Sequence, residues 1–232
     1  MNAQVATRLK DYSGADALPK VLLSVIRDTI AETKPIRFDG NGYSKEWLVE
    51  AERRGLPHAK NTVEALAIWE QPAVKEMFQS AGVMSLQEQT ARVHIRHEQY
   101  VKALHIEAQV LREMAETQIL PAVIDDLRHR AEALGQLKSC GCTPPEPVHK
   151  ALQAQAELLG EAYRRLATLK EAVVKVTHSE HENGPHAHTA AFATLVIPAQ
   201  QALREALDSL EDMCDARRWP LPKYREMLAP LG

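Results

Sequence analysis

A chain of 232 residues, 45% hydrophobic and 25% charged, has the composition of a water-soluble globular protein and the length to bury a sizeable core. Its net charge of -3 provides no basic excess to neutralise phosphates, which argues against nucleic acid as a partner. No apolar run approaches the ~20 residues that span a bilayer, Arg8, Lys10 and Asp11 break any signal-peptide pattern, and three cysteines are too few for a disulfide framework, so a cytoplasmic protein without a membrane partner is expected.

Few aromatics and an abundance of Ala, Leu, Glu, Gln and Arg favour helix throughout, so the expected fold class is all-α. Ala17-Leu18, Val21-Leu22, Val25-Ile26 and Ile30 define one amphipathic helix, and Pro35 follows it. Then comes Phe38-Asp39-Gly40-Asn41-Gly42-Tyr43-Ser44, a glycine turn bounded by aromatics. Gly40 and Gly42 allow positive φ and close backbone approach, and Ser44 is placed to cap a helix beginning Lys45-Glu46-Trp47. Short helices fit Thr62 to Trp69 and Pro72 to Ser80, with Pro72 suited to a first turn. Residues 1–83 read as connecting helices around the glycine turn.

Residues 84–217 read as an antiparallel bundle of three long helices. Ser85-Leu86-Gln87-Glu88 has the spacing of a capping box. The rod behind it carries a seam of Val101, Leu104, Ala108, Leu111, Ala115, Ile119 and Ala122, continued by Val123, Leu127, Leu134 and Leu137. Some fifty residues at ~1.5 Å each give a length of about 75 to 80 Å. A second rod, after Pro147, places Leu152, Leu159, Leu166 and Val173 at one heptad position and Ala156 and Tyr163 at the other. A third, from about Ala187 to Asp215, aligns Phe192, Leu195, Ala199, Leu203, Ala206, Leu210 and Met213. Short links and three apolar stripes favour an up-down-up arrangement. Residues 218–232 form a tail in which Trp219, Pro220, Pro222 and Tyr224 are expected to dock against the earlier helices.

Thr117-Gln118-Ile119-Leu120-Pro121-Ala122 and Thr194-Leu195-Val196-Ile197-Pro198-Ala199 repeat one local pattern. A proline inside a helix removes an amide and crowds the carbonyl four residues back, a threonine in both cases, so kinks at Pro121 and Pro198 are expected. Counting from the rod ends places the two prolines at nearly equal height on parallel neighbours.

Candidate chemistry is sparse. His178, His181, His186 and His188 lie between the second and third rods; imidazoles suit zinc, copper or nickel, yet a polar stretch at a hairpin tip reads as a solvated loop, and no metal is assigned. His94, His97 and His105 read as surface or interface residues. Cys140-Gly141-Cys142, followed by Pro144, Pro145 and Pro147, reads as an exposed turn. Asp125-Asp126 and Glu211-Asp212 point about 100 degrees apart on a helix and read as solvated faces. No P-loop, nucleophile elbow or dinucleotide fingerprint is present, and no catalytic residue is assigned.

The glycine turn does not stand alone. Trp47-Leu48-Val49-Glu50-Ala51-Glu52-Arg53-Arg54-Gly55-Leu56, Lys60-Asn61-Thr62-Val63-Glu64-Ala65-Leu66, Ile106-Glu107-Ala108, Ile119-Leu120-Pro121-Ala122, Val196-Ile197-Pro198-Ala199 and Trp219-Pro220-Leu221-Pro222-Lys223-Tyr224 follow in order. In this order the set resembles the C-terminal part of type III glutamine synthetases, from about residue 18 onward. The resemblance implies a parent reaction that joins ammonium to glutamate with ATP and magnesium or manganese, in a homo-oligomer of stacked rings. It implies that the catalytic residues lie upstream of this chain and that the helical part packs on the ligase core and neighbouring subunits. A free-standing helical interaction or regulatory protein derived from that family is the alternative.

Overall fold

The protein is described by a computed structural model over residues 2–10, 17–178 and 180–228; the side chains at 2–4, 9, 178, 180–183 and 224–225 lie outside the described set. Backbone contacts divide the chain into two compact units, Met1–Lys60 and Asn61–Gly232. Among the described residues there is no strand, as the all-α expectation requires, and no helix is long and apolar enough to cross a membrane.

The first unit holds α1 (Asn2–Leu9), α2 (Ala17–Glu32), a 3-10 turn (Lys34–Ile36) and α3 (Lys45–Arg53). Val21 and Val25 are buried on α2, and Arg8 ties α1 to it through Asp28 at 2.6 Å and Ser24 at 2.6 Å. Gly55, at φ 72°, ends the turn after α3 in the left-handed region open to glycine.

The second unit begins with α4 (Thr62–Trp69) and α5 (Pro72–Ser80). Sequence grouped them with the connecting segment, but they belong with the long helices. The Gln89 side-chain amide donates to the Trp69 carbonyl at 2.7 Å and so fastens the end of α4 to the next helix. That helix, α6 (Leu86–Met114), starts at Ser85 with both halves of the capping box formed. A π turn (Ala115–Ile119) joins it to α7 (Leu120–Ser139); α8 (Glu146–His178) follows, then α9 (Glu180–Ala191), a second π turn (Phe192–Val196), α10 (Ile197–Met213) and α11 (Tyr224–Met227).

Side-chain links give the directions. Lys170 meets Glu116 at 2.7 Å and Gln155 meets Asp126 at 2.9 Å, so residue numbers fall along α8 as they rise along α6 and α7. His97 with Thr189, and Arg130 with the Met213 carbonyl, rise together. The core between them contains Ala115, Leu120, Val123, Leu169, Val196, Leu203 and Leu210.

Leu137, expected on the first seam, is exposed near the end of α7, and two seams run in a different phase from the heptad reading. On α8 the second inward position is Gln155, Ala162, Leu169 and Val176, one residue ahead of the expected phase, and Ala156 and Tyr163 are exposed. On the last rod Val196 is buried and Leu195 is exposed. The cause of the second shift is the π turn: the Leu120 amide donates five residues back to Ala115, and the Ile197 amide to Phe192. Each wide turn sits just ahead of its proline, where the ordinary ladder would want the amide that Pro121 or Pro198 lacks. The added residue rotates everything beyond it by about 100°. Thr117 and Thr194 turn their hydroxyls back to the Glu113 and Ala190 carbonyls at 2.7 and 2.8 Å.

Equal height of the prolines does not hold. Links between these rods join residues 92 and 83 apart in sequence, whereas Pro121 and Pro198 are closer in number than either pair. Pro198 therefore lies roughly two to four turns short of the level of Pro121.

Candidate functional site

The glycine turn is built from its own neighbours. Phe38 stacks on Trp47 with ring centroids 4.2 Å apart, and the Arg54 guanidinium lies over both rings, 6.0 and 5.5 Å from their centroids. Arg54 also donates to the Arg37 carbonyl at 2.7 Å and to Glu50 at 2.5 Å. Asn41 accepts from the Tyr43 amide at 3.0 Å, and Ser44 accepts from the Trp47 amide at 3.2 Å as the expected cap. Neither Gly40 nor Gly42 takes a positive φ, which corrects that part of the expectation. Gly40 leaves room for the Phe38 ring instead, since a Cβ there would lie 2.3 Å from Phe38 Cζ. Gly42 has open space around it, and the Tyr43 ring is fully exposed. Hydrogen bonds from Arg53 and then Arg54 hold the Glu50 carboxyl down at about 2.

Within the described part of the histidine segment, His188 departs from the solvated reading. Gly184, at φ 72°, interrupts α9, and beyond it His188 is buried edge-on to Phe192, with centroids 5.1 Å apart. His186 is exposed, with its Nε2 3.9 Å from Glu70 and its ring 5.5 Å from that of His97. His178 and His181 have side chains outside the described residues. Among the described residues no three His, Cys, Asp or Glu side chains gather to hold a metal ion.

His97 is buried at an interface between elements, where its Nδ1 lies 2.8 Å from the Thr189 hydroxyl. The Thr189 hydroxyl donates to the Pro185 carbonyl at 2.7 Å, so Nδ1 must be the donor to Thr189 Oγ1. Burial first, and the neighbouring His186 second, push the His97 imidazolium below its ordinary range.

Asp126 corrects the solvated reading of its pair most sharply. It is buried, accepts from Gln155 at 2.9 Å and meets Arg130 at 2.8 Å, while Arg218 lies 3.9 Å away and grips the half-exposed Asp125 at 2.7 Å. In the tail, Trp219 is buried in the main core and Leu221 packs against it, whereas Pro220 and Pro222 are exposed. The Tyr224 side chain lies outside the described residues. Pro121 and Pro198 are exposed on their helices. Cys140 and Cys142 are exposed around Gly141 at φ 76°, as the turn reading requires.

The expected residues thus fall into separate groups: the aromatic turn with Arg54 in one unit, the proline turns, the histidine cluster and the Trp219 anchor in the other. Sequence missed Asp126, Gln155, Arg218 and Thr189, whose polarity hides them from any search for apolar periodicity. The one available signal was proximity of Arg218 to the docked tail.

Comparison with known proteins supplies the remaining finding. Residues 21–138 match the glutamine synthetase C-terminal domain family. Similar proteins include a glutamine synthetase of Bacteroides fragilis (strain YCH46), 28% identical over 98% of this chain and 33% of the relative. A type-3 glutamine synthetase of Dictyostelium discoideum is 28% identical over 88% of the chain and 28% of the relative. A glutamine synthetase of Butyrivibrio fibrisolvens is 27% identical over 100% of the chain and 33% of the relative. The chain spans about a third of the length of these curated relatives.

Proposed function

The chain belongs to the glutamine synthetase C-terminal domain family, and from that premise we propose that it is the helical C-terminal part of a type III glutamine synthetase, with a structural and assembly role. The parent reaction is the ATP-dependent ligation of ammonium to glutamate with magnesium or manganese, performed by a ligase core on which this part packs. Partners are that core and neighbouring copies in a cytoplasmic homo-oligomer.

The observation that supports this reading is the use made of the polar side chains. Gln155 with Asp126, Arg130 with the Met213 carbonyl, Arg218 with Asp125, and His97 with Thr189 each tie separate elements together; these groups spend their polar atoms on stiffening a scaffold.

The test mixes the purified chain with a ligase core produced without this region. Co-elution on size exclusion, together with raised biosynthetic turnover of glutamate, ATP and ammonium over either part alone, is expected, with only background from the chain by itself. Turnover by the chain alone that vanishes with a mutated chain would refute the structural role. Failure both to co-elute and to raise activity would favour the free-standing regulatory protein.

A further inference from the structure

Arginines in the second unit are paired with carboxylates almost without exception. From Arg112 to Arg218, each one with a described side chain has a carboxylate oxygen within 2.6 to 3.7 Å. Arg92 and Arg96 have no such ion pair among the described residues. They stand one turn apart on α6, on the same face, where two like charges repel. Glu88, one turn before Arg92, feels that charge but has its carboxylate held by the Ser85 amide and hydroxyl at 2.8 Å each, and Glu98 is taken by Lys102 at 3.1 Å.

These two guanidinium groups line a cleft of about 840 Å3 between α4 and α6. Leu66, Trp69, Met84 and Val93 give it an apolar wall, and Thr62 and Tyr100 bring hydroxyls. No aspartate or glutamate lines it among the described residues. Trp69 stacks on Phe78 at a centroid distance of 5.4 Å, which fixes the indole plane, and the ring remains 38% exposed. Burial holds the Tyr100 phenol above its ordinary range, so its hydroxyl remains a donor at neutral pH. An apolar wall, donor groups and two positive forks without a carboxylate in contact form a complementary surface for one kind of molecule.

We propose that the cleft binds an organic anion, with a carboxylate, sulfonate or phosphate held by Arg92 and Arg96 and a flat apolar body lying against Leu66 and Trp69. The proposal stands on this unit alone and does not depend on the role of the chain in a ligase.

The probe is 1-anilinonaphthalene-8-sulfonate, titrated by fluorescence against the full chain, beside N-phenyl-1-naphthylamine, which has the same rings and no charge. Arg92→Gln and Arg96→Gln should each weaken the sulfonate about tenfold, and the double variant more, as loss of a charge-assisted contact predicts. The neutral compound should bind parent and variants alike, rising salt should weaken only the anion, and inorganic phosphate should compete with it at high concentration. An Arg92→Lys/Arg96→Lys variant, which keeps the charge, should fall between parent and the double Gln variant, and thermal unfolding of all variants should match the parent. Unchanged sulfonate binding in a folded double Gln variant would overturn the proposal. So would equal weakening of the neutral compound.

Discussion

Replacing Asp126 by Ala tests whether a buried carboxylate is the fastening between the rods. Its side chain is 3% exposed, while those of Arg130 and Arg218 are 35% and 30% exposed. Full loss of one partner in a buried pair costs ~3 to 5 kcal/mol, but arginines that reach water recover part of their solvation, so the ionic share is reduced to about 1 kcal/mol. Gln155 cannot recover in that way. It is completely buried, its Oε1 already has no partner, and Asp126 is the acceptor for its amide; stranding that donor costs ~1 to 3 kcal/mol. The sum is about 2 to 4 kcal/mol, or a fall in melting temperature of roughly 5 to 15 °C for a unit of this size. Asp126→Asn keeps an acceptor for Gln155 and should lose about half as much. Guanidinium unfolding followed by circular dichroism, and separately by the emission of Trp219 with Trp47 and Trp69 replaced by Phe, reports the change. A loss below ~0.5 kcal/mol for Asp126→Ala, the range of ordinary surface substitutions, would refute the reasoning.

The remaining predictions concern the first unit, the histidine interface and the proline turns. Gly40→Ala should push the Phe38 ring off Trp47, because the new Cβ would fall 2.3 Å from Cζ, and the loss of ~0.5 to 1.5 kcal/mol of stacking should appear with a shifted Trp47 indole resonance. With the folded pKa of His97 lowered by burial, the unfolded chain binds the proton first. Stability from this site is therefore complete above the unfolded value of ~6.5 and declines as pH falls towards the folded value; urea titrations should show that slope reduced in His97→Gln, and an unchanged slope would reject it. Pro121→Ala and Pro198→Ala should each change stability by less than ~1 kcal/mol, against the ~3 kcal/mol gained when a proline leaves a regular helix interior, because the π turn already accommodates the missing amide; a gain near the larger figure would show the turns to be strained by proline.

Helix ends were the most legible part of this sequence because their signals are local. Ser44 and Ser85 accept the amides of Trp47 and Glu88 within a single turn, and nothing distant has to be known for that chemistry to operate; the cap at Asn61, which accepts from the Glu64 amide, was not read. Pro72 in the first turn of Pro72–Ser80 is an equally local signal. The glycine turn was legible as a turn, but the job of Gly40 was not: its neighbour is an aromatic ring two residues away, and no pattern of glycines distinguishes room for that ring from freedom in φ.

The seams failed where a regular period had to be carried across an irregularity. A heptad reading assumes a constant angle per residue, and each π turn inserts one residue without lengthening the apolar pattern, so Leu195 gives way to Val196 two residues before Pro198. Each proline thus marks where the phase changes. On α8, which has no such turn, the error has another origin: Gln155 takes the inward position because Asp126 needs a donor, and the residues at multiples of seven from it follow it into the core. A polar pair that is satisfied only in one alignment penalises every neighbouring register, whereas Leu and Ala tolerate several. The alignment of α7 with α8 therefore rests on Asp126 and Gln155, and apolar burial supplies the force that holds the helices together without selecting among their possible offsets.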